Sequence, residues 1–215
     1  MISILIPIYN GVEFIDESVM SVINQTYTDW ELLIGINGHP ENSSVFITAK
    51  EYENKSNKIR VFDFFNIKGK SNTLNEMIKY CNYDYVAILD VDDIWEPEKL
   101  EIQSKLLNIY DVIGTKCVYF GEKNFVLSIP TGDISNFDFT IINPIINSSS
   151  VIRKELCFWV ENGIEDYDLW LRLRKMDKKF YNFEEVLIKH RIHNTSAFNS
   201  KGNDLLAQNL VNSYK

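Results

Sequence analysis

Apolar positions along the first half of the chain switch between two periods. Ile2 to Ile8 is a compact apolar run, the pattern of a strand buried on both faces. Phe14, Ile15, Val19, Val22 and Ile23 then recur at three- and four-residue steps, so Val12 to Gln25 is expected to be an amphipathic helix. Glu31 to Ile36 reads as a second strand, Val45 to Tyr52 as a helix and Ile59 to Phe64 as a third strand. Leu74, Met77, Ile78 and Cys81 mark another helix, and Tyr85 to Leu89 a fourth strand that runs into Asp90. Strand and helix in regular alternation predict an α/β fold with a mainly parallel sheet flanked by helices.

The pattern changes near Trp95. Pro97 sits where a helix would begin, and Leu100, Leu106, Leu107 and Tyr110 continue its spacing. Val112 to Phe120 and Phe125 to Ile129 look like strands with no helix between them. Asp166 to Met176 reads as a helix with Leu169, Trp170, Leu173 and Met176 inward, and Phe180 to Ile192 as extended chain. Asp204 to Tyr214 is a helix or a frayed end. The expectation is one domain over residues 1–215, with a first lobe at 1–95 and a smaller mixed lobe at 96–215.

Composition narrows the class. With 215 residues, 45% of them hydrophobic and 24% charged, the chain can bury a sizeable core. Its net charge of −8 argues against a nucleic-acid binder, which needs a basic face. Cys81, Cys117 and Cys157 lack metal-type or paired spacing and read as buried thiols in a reducing compartment. Pro7 follows the start without a basic segment, and no apolar run reaches the ~18–20 residues that cross a bilayer. A soluble, cytoplasmic chain without a transmembrane segment is therefore expected, either whole or as part of something larger.

In an open parallel sheet, ligands bind beyond the carboxyl ends of the strands. Three sequence points lie there: Pro7-Ile8-Tyr9-Asn10, Asn37-Gly38 and Asp90-Val91-Asp92-Asp93. The last is the sharpest. Three acids within four residues repel one another unless a cation or hydrogen bonds compensate. They leave a buried strand rather than sit on a solvated face, and hard oxygen ligands suit Mg²⁺ or Mn²⁺ with substrate phosphates completing the shell. An Asp-rich turn ahead of Pro97 is the plainer alternative.

Taken in order, five segments resemble glycosyltransferase family 2: Ile6-Pro7-Ile8-Tyr9-Asn10, Ser21 to Tyr27, Trp30 to Ile34, Leu89 to Trp95, and Glu165 to Trp170. The resemblance runs from Ile2 to about Ser196. It implies the GT-A fold, with a nucleotide-sugar-binding lobe and an acceptor-side lobe. It also implies a nucleotide-diphospho-sugar donor, a UDP-sugar as first choice, and a carbohydrate or other hydroxyl acceptor, as in polysaccharide biosynthesis.

By that resemblance Pro7, Tyr9 and Asn10 close over the nucleotide. Asn37 stands where the family usually has an Asp that accepts the uracil ring N–H. The amide oxygen can still accept, and its NH₂ can donate as well. Lys70, in the Gly69-Lys70 segment that runs to Asn75, approaches the diphosphate. Asp90 holds the acidic cluster, Asp92 binds ribose or metal, Asp93 ligates the metal, and His193 adds a metal or phosphate contact. Asp166 is the general base of an inverting, metal-dependent transfer. Trp159 and Trp95 are expected as an acceptor wall, and Trp170 in the core.

Other classes stay open on the residues alone. An aspartate phosphatase also places Asp-x-Asp after a strand, but after the first strand, whereas Asp90 follows the fourth. A nucleotidyltransferase would want a Gly-rich basic loop where Tyr9-Asn10-Gly11-Val12-Glu13 stands. A nucleotide-sugar-binding module without catalysis is the non-enzymatic reading.

Overall fold

A computed structural model describes residues 1–193 and 203–215. Asn194, Thr195 and Ser196, the end of the expected family resemblance, lie outside the described residues.

The strands are β1 (Ile2–Ile8), β2 (Trp30–Asn37), β3 (Ile59–Phe64), β4 (Tyr85–Ile88), β5 (Ile94–Trp95), β6 (Val112–Gly121), β7 (Phe125–Val126), β8 (Gly132–Asp133), β9 (Val151–Arg153) and β10 (Phe180–Ile192). The helices are α1 (Ile15–Ile23), α2 (Ser44–Lys50), α3 (Lys70–Met77), α4 (Lys99–Ser104), α5 (Glu165–Lys175) and α6 (Asn203–Asn212). They build one curled sheet in the order β3-β2-β1-β4-β9-β6-β10-β5, with β7 on β6 and β8 on β10.

From β3 to β4 every pair is parallel, as the continuous apolar runs predict. Beyond β4 the sheet is mixed: β9 is antiparallel to β4 and β6, while β10 runs parallel to β6 and antiparallel to β5. The two halves thus share one sheet. The boundary expected near Trp95 falls on β5, which pairs with β10 from the second half.

Side chains alternate across the parallel strands into two cores. Ile2, Ile4, Ile6 and Ile8 pack with Leu32, Ile34 and Ile36 toward Ile15, Val19 and Val22 of α1. Leu5 and Leu33 pack on the other side with Leu74 and Met77 of α3 and Trp170 of α5. Trp170 is fully buried, as expected.

Several boundaries depart from the sequence pattern. The first helix starts late, because Gly11 enters at φ 88 and Val12–Phe14 forms a tight 3₁₀ turn before α1. The expected helix from Pro97 stops at Ser104, and the chain turns through Asn108 at φ 72. The strand expected over Phe125 to Ile129 keeps two residues, both exposed.

The order 3-2-1-4 makes the gap between β1 and β4 the topological switch point. Leu89 N–H donates to the Leu5 carbonyl at 3.0 Å. The next rung of a parallel ladder would start from the N–H of residue 7, and proline has none. Pro7 therefore ends the seam where the crevice opens.

Candidate active site

Three loops leave the carboxyl ends of β1, β2 and β4, and the last of them is the acidic turn. Asp93 N–H donates to the Asp90 carbonyl at 3.0 Å and closes the turn. Val91 is buried and packs under Gly11. This alternation leaves Asp90 and Asp92 about one-fifth exposed, at 22% and 20%, while Asp93 has no exposed surface.

Asp93 is the departure from expectation. Its Oδ1 accepts the Arg191 backbone N–H at 2.9 Å and its Oδ2 accepts His190 Nδ1–H at 2.9 Å. Both oxygens accept a hydrogen bond from β10, and in this structure the side chain faces that strand with no exposed surface. It fastens the acidic turn to β10, the strand that leads directly into His193. Burial alone would lower the His190 pKa, but Asp93 beside it wins and lifts the imidazolium to about 9. Arg191 completes the fastening. Its guanidinium lies 4.6 Å from the Phe14 ring and 4.4 Å from the Phe120 ring, and donates to the Asp92 carbonyl and to Glu17.

Asp92 and His193 do face each other. His193 Nε2 lies 3.0 Å from Asp92 Oδ2. Burial and the charges of Asp93 and Asp90 raise the Asp92 pKa, so its negative charge lacks full compensation. Neighbouring ligands on an octahedral ion with bonds of about 2.1 Å lie about 3 Å apart, so this pair fits two positions of a Mg²⁺ or Mn²⁺ shell. Among the described residues no group of three or more His, Cys, Asp or Glu side chains is arranged to hold an ion alone. Donor phosphate oxygens or water would have to complete the shell.

Asp90 Oδ1 meets Lys70 Nζ at 2.6 Å, and its Oδ2 accepts from Asn147 at 3.1 Å. Burial would raise Asp90, but Lys70 outweighs it and holds the carboxyl below its usual value. Lys70 also reaches Glu165 at 3.5 Å. One cation at the start of α3 thus joins the acidic turn to the start of α5. Asn75 strengthens that join, because its amide accepts the Trp159 N–H at 2.9 Å and donates to the Trp159 carbonyl at 2.7 Å.

Asp166 stands at the second residue of α5. Burial and Glu165 push its carboxyl up to about 6, against the pull of Lys70. Asn143 Nδ2 lies 3.3 Å from its Oδ2. Asp168 instead pairs with Arg172 one turn on, at 2.7 Å.

The nucleotide end is built from β1 and β2. Tyr9 and Asn10 are exposed, and Pro7 and Asn37 are buried. Tyr9 lies so close over Gly38 that a Cβ there would sit 2.9 Å from its ring. His39, which sequence reasoning passed over, stacks obliquely on Tyr9 with centroids 5.4 Å apart. Its place directly after a strand-end Asn-Gly turn was the available signal.

Trp159 and Trp95 do not form an acceptor wall, being 1% and 2% exposed. Trp95 Nε1–H donates to the Ser148 carbonyl at 2.7 Å and stiffens the segment that holds Asp90. Beneath it Lys99 is fully buried, 3.9 Å from the Trp95 ring, and burial drives its amine well below the ordinary pKa. The exposed apolar side chains flanking Trp159 are Phe158 and Val160.

Fold and crevice together define a glycosyltransferase of the GT-A architecture. Over 99% of the chain the structure matches S. aureus TarS 1–349 in complex with UDP-GlcNAc, with a TM-score of 0.79 at 14% identity. The chain spans 66% of that TarS chain. Mannosyltransferase PcManGT from Pyrobaculum calidifontis, in complex with GDP-Man and Mn²⁺, matches with a TM-score of 0.70 at 11% identity, over 99% of this chain and 73% of its own. The Glycosyl transferase family 2 model matches residues 3–160, and the chain belongs to that family. The O-antigen biosynthesis glycosyltransferase WbnJ of Escherichia coli is 30% identical over 208 residues, 91% of this chain and 81% of WbnJ. Among the described residues no helix is long and apolar enough to cross a membrane.

Proposed function

We propose that this glycosyltransferase moves a sugar from a nucleotide-diphospho-sugar, a UDP-sugar as first choice, to a hydroxyl acceptor with inversion, using Mn²⁺ or Mg²⁺. The observation that carries this reading is Lys70. Through its contacts at 2.6 and 3.5 Å it brings Asp90 of the acidic turn and Glu165 beside Asp166 to one crevice.

Asp92 and His193 are the residues to hold the cation. When bound, it supplies positive charge to the departing diphosphate oxygens. Lys70 adds charge on the same side as a compact ammonium. Tyr9 offers a ring face to the base, with Asn37 as hydrogen-bond partner below it. Asp166 takes the acceptor hydroxyl proton as the hydroxyl oxygen bonds to the anomeric carbon. The bond from that carbon to the diphosphate breaks on the opposite face, its electron pair leaves with the nucleoside diphosphate, and Asp166 returns the proton to solvent. Asp93, His190 and Arg191 support this site without touching substrate.

Calorimetry with UDP and MnCl₂ tests the donor half. UDP binding is expected to need Mn²⁺, and Asp92→Ala or His193→Ala to weaken it about tenfold or more. UDP affinity indifferent to Mn²⁺ and to both substitutions would remove the metal from the reading. Gly38→Val tests the base platform. Its branched side chain meets a backbone at φ 73 and collides with the Tyr9 ring, so nucleotide affinity is expected to fall about tenfold. An unchanged affinity would place the base elsewhere.

A further inference from the structure

We propose that Asn143 is a positioning residue for Asp166, donating through Nδ2 to carboxylate oxygen Oδ2 and so fixing which way the base faces the acceptor hydroxyl. The inference rests on Asp166 being the base. Asn143 belongs to the segment between β8 and the 3₁₀ turn at Asn147–Ser149, a stretch without periodic signal.

Five hydrogen bonds carry the inference. Asn143 Oδ1 accepts the Ile145 backbone N–H at 3.3 Å, which commits the amide so that its NH₂, not its oxygen, meets Asp166 at 3.3 Å. The next residue is anchored from the sheet: Asn182 of β10, fully buried, donates to the Pro144 carbonyl at 2.7 Å and to the Pro130 carbonyl at 2.9 Å. The same segment is tied to the base-bearing helix, because Tyr167 donates its hydroxyl proton to the Phe139 carbonyl at 2.6 Å. Asn143 is therefore held by the sheet on one side and by α5 on the other, and it reaches the carboxylate from a frame that does not depend on substrate.

Among the described residues, the charged groups that act most strongly on Asp166 are Glu165 on α5, Lys70 on α3 and Asp90 on the acidic turn. None of them lies on the segment that carries Asn143. A donor aimed at Oδ2 favours the ionised carboxylate and restrains its rotation, which is what a base needs before an acceptor arrives.

The test uses the full chain with ¹³C-labelled Asp carboxyl groups, followed by NMR against pH, with the Asp166 signal identified by its loss in Asp166→Asn. Asn143→Leu removes the donor, and the Asp166 midpoint is expected to rise by about one pH unit. Asn143→Asp keeps an oxygen for the Ile145 N–H but sets a carboxylate against Asp166. The pair should then titrate in two steps, the upper more than about one unit above the wild-type midpoint. A residue that only shapes its segment would leave the midpoint in place in Asn143→Leu, and that result would overturn the proposal; a single unshifted step in Asn143→Asp would overturn it too, because position 143 would then not face Asp166. Hydrolysis of UDP-glucose and UDP-N-acetylglucosamine with Mn²⁺ separates the two readings. Moved midpoints with a fully active Asp166→Asn enzyme would overturn the base assignment and the role of Asn143 with it. Unmoved midpoints with an inactive Asp166→Asn enzyme would overturn Asn143 alone.

Discussion

Asp166→Asn is expected to cut sugar transfer by about 10²–10⁴-fold while leaving UDP affinity and thermal stability close to wild type. The amide has nearly the shape of the carboxylate but cannot take a proton from an acceptor hydroxyl. The wild-type enzyme should show the matching pH dependence. A base with its carboxyl pushed up to about 6 is protonated below that point, so transfer should fall about tenfold per unit on the acid side and level off above it. Rates from pH 5 to 8 on both proteins check the pair of statements. Normal transfer by the Asn variant would end the assignment, and so would an acid limb that Asp166→Asn leaves in place.

Asp93→Ala should do different damage. It removes the buried carboxylate that accepts from both His190 and the Arg191 N–H, and breaking a buried pair of this kind costs about 3–5 kcal/mol. Urea unfolding should register that loss. UDP and Mn²⁺ binding should weaken as well, because the turn carrying Asp92 is no longer fastened to the strand that leads into His193. The His190 contribution has its own pH window. Its folded pKa of about 9 lies above the ordinary ~6.5, so the stabilisation is fully present below ~6.5 and is lost as pH rises through about 9. A His190→Gln protein should lack that alkaline decline. If Asp93→Ala unfolds at the wild-type urea concentration, the fastening role fails.

The first half of the fold was legible because β1, β2 and β4 are buried along their whole length and announce themselves as apolar runs, while the edge strand β3 still shows its apolar positions between polar ones. β3 matches its expected ends, Ile59 and Phe64, and β1 its own, Ile2 and Ile8. β5, β8 and β9 were not legible, since two or three residues are too few to carry a period. Their places are set by partners far off in sequence, such as Ile188 opposite Trp95. The acidic turn was legible as a cluster, but not the division of labour inside it. The inward turn of Asp93 follows from Val91 packing under Gly11 and from β10 arriving with His190, neither of which is local. Asn143 and His39 escaped for related reasons. One sits in an aperiodic segment, and the other gains meaning only once Tyr9 lies against it. The two tryptophans misled because size and position suggested a wall for a sugar, whereas the fold used them as core.

The proline at position 7 bears on how the enzyme must have been shaped. A central sheet gains by adding rungs, and random change would keep trying to zip the two middle strands further toward their tips. With no hydrogen on its nitrogen to offer, this residue makes that improvement chemically unattainable. The cleft is thus kept open at the strand tips by a subtraction, the one donor that this residue cannot supply.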